Sequence, residues 1–254
     1  MDRTLEPLSG INWSAAWFAS WRGTGERVAL RCGAGLPLHD ALNLEHGASV
    51  RFVEQQRLPL GVAYERYIFD SGMCPTRPGL HDFFNGLCWL QLPLAKQRLN
   101  ALQAGQIAAE PAASAVRGLV RDSITVFDEN GMLLDAPLAL WGALLERDWQ
   151  RLFVELRPLW EQARVLVFGH ALLAKLVKPR KDITAHVWRT HCPLDNLAET
   201  DAWLAEQFTA ARFAAKPFTP LPVLGIPGWW PRNENFSFYD DSLVFRPLQK
   251  HSRK

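Results

Sequence analysis

Ser123-Ile124-Thr125-Val126-Phe127-Asp128-Glu129-Asn130-Gly131-Met132-Leu133-Leu134 is the stretch on which the fold reading turns. Its first half is rich in β-branched and aromatic residues, which favour strands. Asn130-Gly131 follows between apolar runs, and both residue types tolerate the positive φ that a tight hairpin turn needs. The pattern predicts a β-hairpin over 123–134. Outward from it, helical spacing dominates. His81 to Leu92 and Lys96 to Gln103 read as helices, with Pro93 at or near a new helical turn. Ala104 to Ala115 reads as a loop or weak helix. Leu138 to Gln162 reads as one or two amphipathic helices interrupted near Pro158, and Leu194 to Ala215 as one helix capped by Asp195 or Thr200. Trp13, Trp17 and Trp21 recur at helical spacing, a stripe for the core. Ser49 to Val53 and Tyr64 to Phe69 read as short strands, the second ended by Asp70-Ser71-Gly72, and a second hairpin is expected within Phe236 to Phe245. The sum predicts an α+β fold, predominantly helical with a small antiparallel sheet. One domain over 1–254 is expected, with a frayed basic tail at about 249–254.

Composition bounds the function. A hydrophobic fraction of 48% supplies a packed core, and 11 tryptophans are most simply its anchors. A net charge of +2 argues against a sequence-independent nucleic-acid coat. Cys32, Cys74, Cys88 and Cys192 form no C-x-x-C pair and fit no zinc spacing. The start lacks a signal peptide's apolar core, and no apolar run reaches transmembrane length. A cytosolic protein with reduced thiols and no membrane partner is the expectation.

Polar chemistry concentrates in Pro75-Thr76-Arg77-Pro78-Gly79-Leu80-His81-Asp82-Phe83-Phe84-Asn85. On a helix His81 and Asn85 share one face, with Arg77 on the loop before them. An imidazole takes a proton near neutral pH, a carboxamide orients a water, and a carboxylate binds a cation or holds the ring in one tautomer. The structural alternative stays open: His81 or Asp82 caps the helix, and Asn85 bonds a loop carbonyl. Arg121-Asp122 and Asp128-Glu129 bracket the expected hairpin strand, as a cation site or as ordinary turn acids. His170 follows Gly169 at a strand-to-helix junction, with Lys175, Lys178, Arg180 and Lys181 beyond it. Such a junction suits an anion, although a basic loop is usually just solvated. Trp229-Trp230 reads as core packing, or as a stacking platform for a base. No nucleophile elbow, H-E-x-x-H, phosphate loop or dinucleotide fingerprint is present.

The chain resembles a family of bacterial proteins catalogued only as a domain of unknown function. The motifs that carry the likeness are Pro75-Thr76-Arg77, His81-Asp82-Phe83-Phe84-Asn85 with Leu87 and Trp89, then Pro93, Lys96 and Asn100. Arg121-Asp122, Thr125, Phe127-Asp128-Glu129 and Gly131 continue it, and Phe168-Gly169-His170-Ala171-Leu172 and Leu224 to Trp229 complete it. The resemblance implies no activity. It implies that these polar positions mark the family, which weakens the helix-cap alternative. Locally, His81, Asn85, Leu87, Trp89 and Asn100 are similar to the H…N-x-L-x-W…N run of HNH-type nucleases, without the hairpin and second metal histidine of that family.

Three functions follow as expectations. The first is a metal-assisted hydrolase of phosphoesters or phosphodiesters. In it His81 is the base and Asn85 orients water. Arg77 or Arg121 meets the anionic transition state, His170 is an acid or ligand, and Asp82, Asp122 and Asp128 hold a divalent metal. The second is a non-catalytic protein whose same residues form a buried hydrogen-bond network. The third is a nucleic-acid-binding module using the basic cluster and Trp229 or Trp230.

Overall fold

Gly131 turns no hairpin. The computed structural model describes residues 8–109 and 118–248, so the expected tail at 249–254 and the end of the 104–115 stretch lie outside the described residues. In it, residues 123–130 belong to a helix, Leu119–Asn130, and Gly131 opens a strand, Gly131–Asp135. Ser123, Ile124 and Phe127 lie buried on one face of that helix, so tertiary packing overrides the strand preference of Ile124, Thr125 and Val126. Gly131 has φ −71° and ψ 149°, ordinary extended backbone. Glycine is needed there for another reason: a Cβ would meet the Phe127 carbonyl oxygen at 2.4 Å. The strand thus leaves the helix at a distance only glycine permits.

In chain order the elements are α1 (Arg22–Gly33), α2 (Leu38–Asn43), β1 (Arg51–Glu54), α3 (Tyr64–Ser71), β2 (Met73–Thr76), α4 (Leu80–Gln91), α5 (Pro93–Ala109) and α6 (Leu119–Asn130). There follow β3 (Gly131–Asp135), α7 (Leu138–Glu146), β4 (Arg164–Val167), α8 (His170–Lys175), β5 (Thr184–Arg189), α9 (Leu197–Gln207), α10 (Ala210–Ala214) and β6 (Phe218–Pro222). The fold is α+β and mostly helical, as the sequence pattern implies. Its larger sheet is mixed rather than antiparallel. The order is β4-β3-β5-β6, with β3 antiparallel to β4 and parallel to β5, and β5 antiparallel to β6. Central β3 is buried through Met132, Leu133 and Leu134, as a strand covered on both faces must be. Edge strand β6 tolerates Pro220 and Pro222, whose missing N–H groups spoil no interior ladder. A second sheet pairs β1 with β2 in parallel.

Other expectations shift in type rather than place. Tyr64 to Phe69 is helix α3, not a strand, although it ends where expected, at Gly72 with φ +66°. The 194–215 helix is two, capped by the side chains of Asn196 and Thr209. The break in Leu138 to Gln162 comes earlier than Pro158: α7 ends at Glu146 with Arg147 at φ +52°, a π-helical turn follows over Arg151–Glu155, and Pro158 sits in the first turn of a 3-10 helix over Arg157–Gln162. The second hairpin is a 3-10 helix, Phe236–Asp240. Trp17 and Trp21 are core residues, but they sit on a 3-10 turn and just ahead of α1, not on one helix.

The piece that positions the site is α4. It is buried continuously from Asp82 to Leu90 and packs on α8 and α5. At its far side α6 and α8 approach closely. A Cβ on Gly169 would meet the Glu129 carbonyl oxygen at 2.4 Å, and the N–H groups of Phe168 and Gly169 both donate to Gly131 O. Two glycines therefore bring the end of α6, with Asp128, against the start of α8, with His170.

Candidate functional site

Gly79, at φ +133°, lets the chain turn from the Arg77 loop into α4. Asp82 lies in the first helical turn and folds back. Its Oδ2 accepts from the Arg77 backbone N–H at 2.7 Å and from Arg77 Nε at 3.2 Å, and its Oδ1 accepts from Arg77 Nη2 at 3.2 Å. His81 Nδ1 lies 2.8 Å from the same Oδ1. Burial works against the Asp82 charge, but the hydrogen bonds from His81 and Arg77 outweigh it and hold the carboxyl down at about 2. Asp82 is thus a permanent anion that fastens both an arginine and an imidazole. Neither His81 nor Asp82 caps α4, whose N-cap is Gly79 with no side-chain bond; Asp82 instead binds the Arg77 N–H ahead of the helix. Asn85 bonds no loop carbonyl; its Nδ2 donates to Tyr64 Oη at 3.3 Å.

The His81 ring meets the His170 ring edge to face, with centroids 4.6 Å apart. His170 is buried, and its Nδ1 stands 3.7 Å from Asp128 Oδ2. The other Asp128 oxygen accepts from Lys96 Nζ at 2.6 Å, a part-buried ion pair between α5 and α6 in which Lys96 is buried and Asp128 reaches the cleft. Burial opposes both charges, yet each sustains the other: the Asp128 carboxyl sits below its ordinary value and the Lys96 ammonium above. Burial takes His170 the other way, down to about 3, against the pull of Asp128. His170 is therefore a neutral imidazole at neutral pH. His81 is thus hydrogen-bonded to Asp82, which Arg77 holds, whereas His170 faces it near the Asp128–Lys96 pair with its own Nδ1 unbonded among the described residues.

These groups open on a cleft of about 650 Å³. Arg77, His81, Asp82, Asn85, Arg121, Asp128 and His170 all line it. Asp122 does not; it lies on the exposed side of α6. Glu129, which the sequence reads as part of a cation site or a turn acid, also lines the cleft, as do Tyr64, Glu65, Gln103 and Thr125, which the sequence pattern does not single out as site residues. Tyr64 and Glu65 escape notice because α3 reads as a strand. Lys96, Asn100 and Gln103 carried a signal: they recur at helical spacing on α5, a polar stripe on a face that is otherwise core. Asn100 Nδ2 donates to Glu65 O at 2.8 Å and to Oε2 at 2.7 Å. Burial, and then the Asp128 charge, push the Glu65 carboxyl up, and the opposing pulls of Lys96, Asn100 and Arg121 do not cancel them.

The expected metal set of Asp82, Asp122 and Asp128 does not assemble. Asp82 and Asp128 already serve fixed cations, and Asp122 faces away. Among the described residues no three of His, Cys, Asp and Glu come together as metal ligands. The basic cluster is largely engaged: Lys175 donates to Asn130, Arg180 pairs with Asp182, and Lys181 pairs with Asp241 and lies over Phe238. Trp229 packs on Trp17. The four cysteines are free, and no described helix is long and apolar enough to cross a membrane.

Fold and cleft together define a mainly helical α+β protein with a paired-histidine site between α4, α6 and α8. The chain belongs to the DUF3025 family of proteins of unknown function, whose model matches residues 50–249. No curated protein and no solved structure matches it.

Proposed function

We propose that the cleft is the active site of a hydrolase acting on phosphoesters or phosphodiesters, with His81 as the proton-transfer group. The observation that carries this is the facing pair of imidazoles in an open cleft, with His81 hydrogen-bonded to Asp82 and the Asp128 carboxylate near His170. Asp82 on Nδ1 holds the His81 ring and favours the imidazolium that forms when Nε2 takes a proton from water. Arg77 keeps Asp82 ionised. Burial keeps His170 neutral, so His81 is the imidazole assigned to proton transfer. The water oxygen forms the new bond to phosphorus as the ester P–O bond breaks. The imidazolium then gives its proton to the leaving oxygen. Arg121 supplies positive charge for the phosphoryl oxygens. No step is assigned to a metal.

The test is turnover of p-nitrophenyl phosphate and bis(p-nitrophenyl) phosphate, with and without EDTA. Wild type is expected to turn over at least one of them, and His81→Asn to lose about 10²–10⁴-fold. The fold should survive, since the His81 side chain is 49% exposed. No wild-type turnover, or full activity in the variant, would refute the reading. A second reading, a rigidifying network, draws on the Lys96–Asp128, Asn100–Glu65 and Gln103–Thr125 bonds that tie α3, α5 and α6 together. It predicts that melting temperature, not turnover, follows these residues.

A further inference from the structure

The floor of the cleft is short of donors. Gln103 Nε2 donates to Thr125 Oγ1 at 2.9 Å, and Thr125 spends its only hydroxyl hydrogen on Arg121 O at 3.0 Å. That chain fixes the amide, because Thr125 has no proton left to give. Gln103 is 7% exposed, and its Oε1 is left with no hydrogen-bond partner. An unpaired buried carbonyl costs about 1–3 kcal/mol. Two carboxylates line the same cleft without a cation bonded to them among the described residues. Among the described residues Glu65 is hydrogen-bonded only to the Asn100 amide, and Glu129, on the last turn of α6, has no side-chain hydrogen bond or ion pair. Asp82 and Asp128 differ, each being held by its own cation.

We propose that this floor binds the positively charged nitrogen head group of the substrate, an alkylammonium or guanidinium, through Glu65, Glu129 and Gln103 Oε1. A cationic N–H donor supplies what all three lack: charge for the carboxylates and a hydrogen for the orphaned carbonyl. The lifted Glu65 carboxyl agrees, since burial and Asp128 disfavour its charge more than Lys96, Asn100 and Arg121 favour it, and a bound cation adds to the favourable side. The inference names the substrate class for the proposed hydrolase site but does not depend on the hydrolytic step.

The experiment is an NMR titration of the full chain with ethylammonium chloride and, separately, methylguanidinium chloride. Sodium chloride at equal ionic strength and inorganic phosphate are the controls. One cation should saturably shift the Gln103 side-chain amide, and the two arms tell ammonium from guanidinium. Glu65→Gln should weaken that binding by about tenfold or more, as loss of a charge-assisted contact does. Glu129→Gln should weaken it too, and serves if Glu65→Gln does not fold. His81→Asn should leave it intact. Shifts no larger than those from sodium chloride, wild-type affinity in both glutamate variants, or phosphate saturating the same amide would overturn the proposal. Cation binding without any turnover would sink the hydrolase alone; turnover without cation binding would sink this inference alone.

Discussion

Asp82 serves two masters with two oxygens, and its pH dependence follows from that. Its carboxyl lies at about 2 in the fold against an ordinary 3.8. A depressed carboxyl contributes stability that is complete above its unfolded value and is lost as pH falls toward the folded one. The window is therefore pH 4 down to 2, and the contribution about 2 kcal/mol. Urea denaturation of wild type and Asp82→Asn should differ by a constant amount above pH 5, and the gap should close below pH 4. A gap that does not change with pH would mean that Asp82 is not held ionised by Arg77 and His81. At this scale much was legible. Arg77, His81, Asp82, Asn85, Arg121, Asp128 and His170 stand out as polar groups tied to apolar runs, and the fold brings them to one cleft. Lys96 showed as a motif position and in the polar stripe of α5, but not as one half of an ion pair. A lysine in sequence reads as solvated, and nothing local says that Asp128, from another helix, will bury it.

At the level of elements the lesson is Asn130-Gly131. The dipeptide does break the chain, and a hairpin turn and a helix end both use it. Local preference chose the hairpin because Ile124, Thr125 and Val126 are β-branched. The burial of Ile124 and Phe127 on one helical face decides otherwise, and that is a tertiary fact. Gly131→Ala separates the two geometries. Its φ of −71° accommodates alanine, so no backbone strain arises, but the new Cβ would press on the Phe127 carbonyl at 2.4 Å. The expected cost is about 1–3 kcal/mol by overpacking, read by denaturation. A neutral substitution would contradict the close helix–strand junction. The same misreading made Tyr64 to Phe69 a strand and hid the cleft wall that α3 supplies.

Across the whole molecule, the part-buried Lys96–Asp128 pair joins α5 to α6 directly behind His170. Lys96→Met should cost about 3–5 kcal/mol, because it strands an anion in the interior. Lys96→Met with Asp128→Asn should recover part of that loss, and a double-mutant cycle by urea denaturation measures it. Additive losses would show that the two are not coupled. The central claim is that two imidazoles meet in one cleft, one of them buried and neutral beside Asp128. Long-range ¹H–¹⁵N spectra of the imidazoles, recorded from pH 8 to pH 4 on wild type and His81→Asn, test it most directly. The structure predicts that His170 keeps its neutral nitrogen pattern below pH 5, in keeping with a folded value of about 3, and that His81→Asn shifts its ring signals. Protonation of His170 near its ordinary 6.5, with signals indifferent to His81→Asn, would contradict the paired site.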